Sequence, residues 1–182
     1  MANAIGIVEF TSISKGIFVT DQMLKASEVE IVTASSVCPG KYISIVHGDI
    51  ASVENSVSIG ENMAGEFYID SIIIPNVNPL VFPAITGSTM PDNIQALGII
   101  ETFSLATMVI AADAILKASN LYPIELRLGT GLGGKSYFTF TGDVGAVEAG
   151  IEAGKKIIEE KGLLVNIEII PSPSKSLLPS LL

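Results

Sequence analysis

The chain has 182 residues, 48% of them hydrophobic and 16% charged, with 19 acidic against 10 basic side chains and a net charge of −9. That length fits one large domain or two of about 90 residues each. An acidic chain repels a phosphate backbone, which argues against a nucleic-acid partner, and no apolar run reaches the roughly 18 residues needed to cross a bilayer. So little charge leaves much of the exterior neutral, as in a protein that buries its flanks against copies of itself. Met1-Ala2-Asn3-Ala4-Ile5-Gly6 lacks the regions of a signal peptide, and one cysteine cannot close an intramolecular disulfide. A reducing cytoplasm is the expected setting.

In chain order, residues 5–10 read as a short apolar strand buried on both faces. A helix follows over about 15–27, with Ile17, Met23, Leu24 and Ala26 on its apolar side. Two strand-like runs, 29–33 and 42–46, flank the turn Ser36-Val37-Cys38-Pro39-Gly40-Lys41. Proline fixes its own φ and lacks an N–H, and glycine permits backbone that other residues do not, so this turn presents the thiol of Cys38. Asp49 stands as an N-cap, and behind it Ile50, Val53 and Val57 recur at the helical period. An apolar strand then ends at Ile74-Pro75. Turn residues cluster from Pro83 to Asn93, and residues 86–93 are read as a linker between a first domain at 1–85 and a second at 94–182. In the second half Asp143 caps a helix carrying Val144, Val147, Ile151 and Ile158, a last strand ends at Ile170-Pro171, and residues 172–179 read as an irregular tail.

The second half repeats the first. Ala4-Ile5-Gly6-Ile7-Val8-Glu9 returns as Ala96-Leu97-Gly98-Ile99-Ile100-Glu101, an offset of 92 (96 − 4). Asp21 and Lys25 return as Asp113 and Lys117 at the same offset, while Gly48-Asp49 returns as Gly142-Asp143 at 94 (143 − 49). This is a tandem duplication of a β-α-β-β-α-β unit, an α+β, ferredoxin-like split β-α-β fold. Two such units per chain can fill adjacent places in a ring, so three chains make a pseudo-hexameric homotrimer.

Gly129-Thr130-Gly131-Leu132-Gly133-Gly134-Lys135-Ser136 fits the pattern G-x-x-x-x-G-K-[ST] of a phosphate-binding loop. That motif needs a helix straight after it, and Tyr137-Phe138-Thr139-Phe140 reads as strand, which argues against a nucleotide site. The loop is instead the second copy of the Cys38 turn, with Leu132 opposite Cys38 at the 94-residue offset, and it brings backbone without a ligand. His47, the lone histidine, corresponds to Thr141 and reads as a solvated strand end. Glu9 and Glu101 share a repeat position, which points to a structural role. No carboxylate pair, Ser/His/Asp set or Cys-x-x-Cys is evident, so no enzyme is expected.

Across residues 4–173 the duplicated unit resembles the bacterial microcompartment shell (BMC) domain. The likeness rests on Ala4-Ile5-Gly6-Ile7-Val8-Glu9, on Asp21 with Lys25 and Asp113 with Lys117, on the Gly-Asp pairs 48–49 and 142–143, and on the Ile-Pro pairs 74–75 and 170–171. Cys38-Pro39-Gly40-Lys41 narrows it to the tandem-domain trimeric shell proteins of the propanediol-utilisation T type. The resemblance implies a shell tile in which Cys38 of three subunits holds an iron–sulfur cluster, [4Fe-4S], one per trimer, at a threefold pore. It implies pore loops at Ser36, Val37, Pro39 and Gly40 and at Gly131, Leu132, Gly133 and Gly134, with Lys25 and Lys117 at the tile edge. The expected work is electron transfer across the shell, with other shell proteins and a lumenal or cytosolic redox enzyme as partners. The arginine that many relatives carry after the last strand is missing from both copies, where Ser172 and Asn76 stand, which weakens tile-to-tile contact through that motif. Two alternatives stay open: an unmetallated pore conducting a small metabolite, and a soluble trimer binding an effector between subunits.

Overall fold

The structure, a computed structural model, describes residues 4–181 apart from 90, 92, 162, 178 and 180. The chain divides into two compact units, Met1–Val77 and Asn78–Leu182. Residues 78–85, grouped by composition with the first domain, thus fold with the second.

In the first unit every residue of β1 (Ala4–Phe10) is buried. A strand so placed must engage both edges in a ladder, because buried N–H and C=O groups need partners. It pairs antiparallel with β3 (Lys41–Gly48) on one side and β4 (Tyr68–Ile74) on the other. β2 (Glu30–Val37) pairs outside β3, giving the order β2-β3-β1-β4. The helices α1 (Ile13–Ala26) and α2 (Ile50–Ala64) pack on each other and on the sheet. Val8 and Phe10 of β1, Val19 and Met23 of α1, Tyr42 and Val46 of β3, and Val53 and Val57 of α2 form one core. Ser12 and Asp49 cap the helices, accepting from the Lys15 and Ser52 N–H groups at 3.3 and 3.0 Å. The Ser52 contacts hold the Asp49 carboxyl below the usual carboxylate range.

The expected apolar side of α1 is corrected. Ile17 and Ala26 are exposed and Leu24 is half-buried, whereas Gly16, Val19, Thr20 and Met23 face the core. Gly16 sets this orientation: a Cβ there would lie 2.5 Å from the Tyr42 ring, so the helix can rest on β3 only along its glycine side.

The second unit opens with a short helix, α3 (Val81–Thr86), inside the proline-containing connector. Pro83 sits in its first turn, where a missing N–H costs nothing. Then come β5 (Ala96–Thr102), α4 (Leu105–Ala118), β6 (Tyr122–Leu128), β7 (Ser136–Gly142), α5 (Val144–Glu160) and β8 (Leu164–Ile170), with sheet order β6-β7-β5-β8. Ser104 and Asp143 repeat the two caps, accepting from the Thr107 and Ala146 N–H groups at 3.1 and 2.8 Å. Val147, Ile151 and Ile158 of α5 are buried as expected, while Val144 is exposed at the first position. Among the described residues no helix is long and apolar enough to cross a membrane.

The duplication extends to irregularities. A register shift falls between Ile31 and Thr33 and again between Pro123 and Glu125, and another between Glu9 and Phe10 and between Glu101 and Thr102. The copies run 92 residues apart through β2 (Ile31 to Pro123), 94 at the second cap (Asp49 to Asp143) and 96 at the last strand (Ile74 to Ile170). The first gain lies in the turn after β2, and the second in the helix, which lengthens from 15 residues in α2 to 17 in α5.

Gly6 and Gly98 share one repeat position and let a helix lie against the central strand. A Cβ at Gly98 would come within 2.5 Å of the Phe140 ring and 3.0 Å of Val147. Gly98→Ala should therefore destabilise the fold by about 1–3 kcal/mol in urea unfolding, since a ring cannot yield without moving its neighbours. Gly145→Ala, exposed on α5 with Asp143 Oδ1 its nearest neighbour at 3.6 Å, should be neutral or slightly stabilising.

Candidate functional site

The Cys38 turn is shorter than the sequence suggests. Ser36 and Val37 belong to β2, and Val37 pairs with Lys41 of β3, leaving residues 38–40 as the turn. The Cys38-Pro39 peptide is cis, Gly40 has φ +82°, and the Gly40 N–H donates to the Val37 carbonyl at 3.0 Å. Proline removes one donor that would otherwise need a partner, and glycine supplies the left-handed backbone that closes the turn. Cys38 is a free, partly exposed thiol at the tip.

Beneath the turn, Lys41 Nζ lies 3.7 Å from Glu9 Oε2, with the Glu9 side chain almost wholly buried on β1. The second copy repeats the pair, with Lys135 Nζ 3.2 Å from Glu101 Oε2. A carboxylate inside a sheet must be paired, and the pairing ties each hairpin base to the central strand. Sequence reading placed Glu9 and Glu101 in a structural role but missed their partners. The signal was present, because Lys41 and Lys135 also share a repeat position.

In the second copy β6 and β7 are joined by a glycine loop. The Gly129 N–H donates to the Lys135 carbonyl at 3.1 Å, and the Lys135 N–H to the Leu132 carbonyl at 3.2 Å. Gly129, Gly131, Gly133 and Gly134 all have positive φ, and no atom lies within 4 Å of a Cβ built on Gly131 or Gly133. β7 follows at once, so no helix N-terminus exists to receive a phosphate. By position Val37 answers Gly129 and Lys41 answers Lys135, so a turn of 38–40 corresponds to one of 130–134. The expected match of Cys38 to Leu132 therefore fails as a one-to-one correspondence, because the two-residue gain falls inside the loop.

Beside this loop stands a polar group absent from the first copy, where Thr33, Ser35 and Ile43 take its places. The Tyr137 hydroxyl donates to the Glu125 carboxylate, and Arg127 Nη2 lies 2.6 Å from Glu125 Oε1. The Arg127 guanidinium sits 5.8 Å from the Tyr137 ring centroid. Burial pushes the Tyr137 hydroxyl up to about 12, helped by the hydrogen bond and charge of Glu125 and opposed by Arg127.

Other singled-out residues stand apart from the turns. Lys25 and Lys117 pair with Asp21 and Asp113 on their own helices, each at 2.6 Å. His47 Nε2 lies 3.6 Å from Glu30 Oε2 near the end of β3. Among the described residues no group of three or more His, Cys, Asp and Glu side chains could hold a metal ion, so one chain brings the single thiol of Cys38.

The BMC-domain family model matches residues 4–77 and 96–173, the two repeats. The chain is 40% identical to the bacterial microcompartment shell protein PduT of Citrobacter freundii, over 97% of this chain and 96% of that one. It is 35% identical to the bacterial microcompartment shell protein PduA of Salmonella typhimurium, over 43% of this chain and 82% of that one. A crystal structure of a microcompartment protein from Desulfitobacterium hafniense superposes with a TM-score of 0.94 at 46% identity, covering 98% of this chain and 99% of that one.

The Tyr137 shift carries a pH consequence. A tyrosine whose hydroxyl titrates higher when folded contributes stability that is intact below about pH 10 and lost as pH rises through about 12. The urea midpoint should fall over that range, and Tyr137→Phe should flatten the fall. A 295 nm titration should show one tyrosine ionising near 12 that the variant lacks.

Proposed function

The chain belongs to the BMC-domain family and is a structural shell protein of a bacterial microcompartment; on that premise we propose that three copies gather their Cys38 turns around one axis to hold an iron–sulfur cluster. The observation that carries this reading is the mismatch between the two copies of one turn. Both turns are braced from the central strand by a Glu and Lys pair, yet one ends in the chain's sole thiol and the other in glycine. Threefold symmetry repeats that thiol three times.

The donor type fits such a cluster, since thiolates are the usual protein ligands of iron–sulfur centres and Cys38 is partly exposed at a turn tip. Cys38 would supply the ligand, and Pro39 and Gly40 hold it clear of the strands. A bound cluster would supply one-electron chemistry. Three thiolates per cluster leave one of the usual four protein positions open. The work we assign is electron transfer across the shell, with a redox enzyme as partner on one side. Lys25 and Lys117, exposed at the ends of α1 and α4, are assigned to the tile edge.

A second reading is favoured by one feature. The open space around Gly131 and Gly133 suits a conduit for a small metabolite, with Cys38 unmetallated.

Protein purified without oxygen should be brown, absorb broadly near about 400 nm, contain about four irons per three chains, and bleach with dithionite. Cys38→Ser should sediment as the parent does and be colourless. Anaerobic protein with intact Cys38 but no iron or sulfide would leave the conduit in its place.

A further inference from the structure

The duplication does not stop at the last strand of each copy. At the offset of 96 that relates Ile74-Pro75 to Ile170-Pro171, Asn78-Pro79-Leu80-Val81-Phe82-Pro83 corresponds to Ser174-Lys175-Ser176-Leu177-Leu178-Pro179. The backbone agrees. The Val81 N–H donates to the Asn78 carbonyl at 3.0 Å, and the Leu177 N–H to the Ser174 carbonyl at 2.9 Å. The Leu80 N–H donates to Asn78 Oδ1 at 3.0 Å, and the Ser176 N–H to Ser174 Oγ at 3.3 Å. The tail expected to be irregular therefore begins with the same turn that leads into α3.

The first of these segments has a seat. The Asn78 N–H donates to Asp113 Oδ1 at 2.7 Å, and its side-chain amide to the Leu116 carbonyl at 3.1 Å, both on α4. α3 packs on α4 and on the edge strand β6, where Leu80 and Pro83 line one cavity with Tyr122 and Pro123. Val81 and Ala84 are buried.

The matching face of the first unit is bare. Asp21, the counterpart of Asp113, has a side chain 52% exposed against 9%. On the same stripe of the helix Ile17 is 55% exposed where Val109 is 0%. On the edge strand Ile31 is 46% exposed where Pro123 is buried. The tail also keeps apolar surface, with Leu177 at 38%. Its one charged side chain, Lys175, suits a face bearing Asp21, Glu28 and Glu30. Face and segment are thus both exposed within one chain.

We infer that the C-terminal segment from Ser174 docks on the first unit of a second copy of this chain, across α1 and the edge of β2, as α3 docks on α4 and β6. The Ser174 N–H takes the place of the Asn78 N–H and donates to Asp21, Leu177 fills the place of Val81, and Ser176 comes to lie beside Ile31. The contact joins two different patches, so it runs head to tail, and three copies close it into a ring. It rests on the self-association in the shell reading and is independent of the cluster.

Crosslinking tests it directly. In a Cys38→Ser background, Ile31→Cys and Ser176→Cys in the same chain should, on mild oxidation, give covalent dimers and trimers on a non-reducing gel. Ile31→Cys with Ser58→Cys, on the exposed side of α2, should not. Ending the chain after Pro173, or introducing Ile17→Asp, should raise the concentration at which the trimer dissociates by at least about tenfold in sedimentation. A full-length chain that sediments as a monomer overturns the self-association reading and the docking together. A trimer that neither crosslinks at 31 and 176 nor weakens on truncation overturns the docking alone.

Discussion

A strand paired on both edges tolerates little change, and each half of this chain is arranged around one, buried at every residue in β1 and at five of seven in β5. β1 and β5 must place every N–H and C=O in a ladder on both sides, which fixes the antiparallel neighbours and their registers. Gly6 and Gly98 then bring a helix against the strand where any side chain would intrude. Glu9, buried, and Glu101, half-buried, reach out from these strands to the lysine at the base of each hairpin. The position of both turns is therefore inherited from the central strand, and the sequence of the turns themselves is left free.

The two copies show how that freedom has been used. They agree in strand order, caps and bulges, and differ in length only in the turn after β2 and in the second helix. Both lie outside the ladders, where added residues disturb no pairing. One turn became three residues around a thiol and the other five residues dominated by glycine. The polar group of Tyr137, Glu125 and Arg127 belongs to the second copy alone, so the surroundings of the two turns have diverged along with their tips.

Much of this was legible in the sequence, because repetition amplifies weak signals. The succession of elements β-α-β-β-α-β, the caps at Asp49 and Asp143, and the rejection of a phosphate loop before Tyr137 all follow from patterns in the sequence. What escaped was set by contacts distant in sequence. The orientation of α1 depends on Gly16 meeting Tyr42, which an apolar count misreads in favour of Ile17. β2 continues through Ser35 and Ser36 because β3 supplies its partners, although small polar residues announce no strand. α3 was hidden by Pro83, a residue that marks a connector by composition yet is harmless in a first helical turn.

Joining two unequal units in one polypeptide changes what arithmetic is open to an assembly. Six identical single units around an axis must place a given side chain six times or not at all. A fused pair makes alternate positions distinguishable, so a feature confined to one partner appears at half of them, three in a ring of six. Fusion of two units, and no adjustment of bond lengths or angles, is what would let a ring of three such chains offer three sulfurs in place of six.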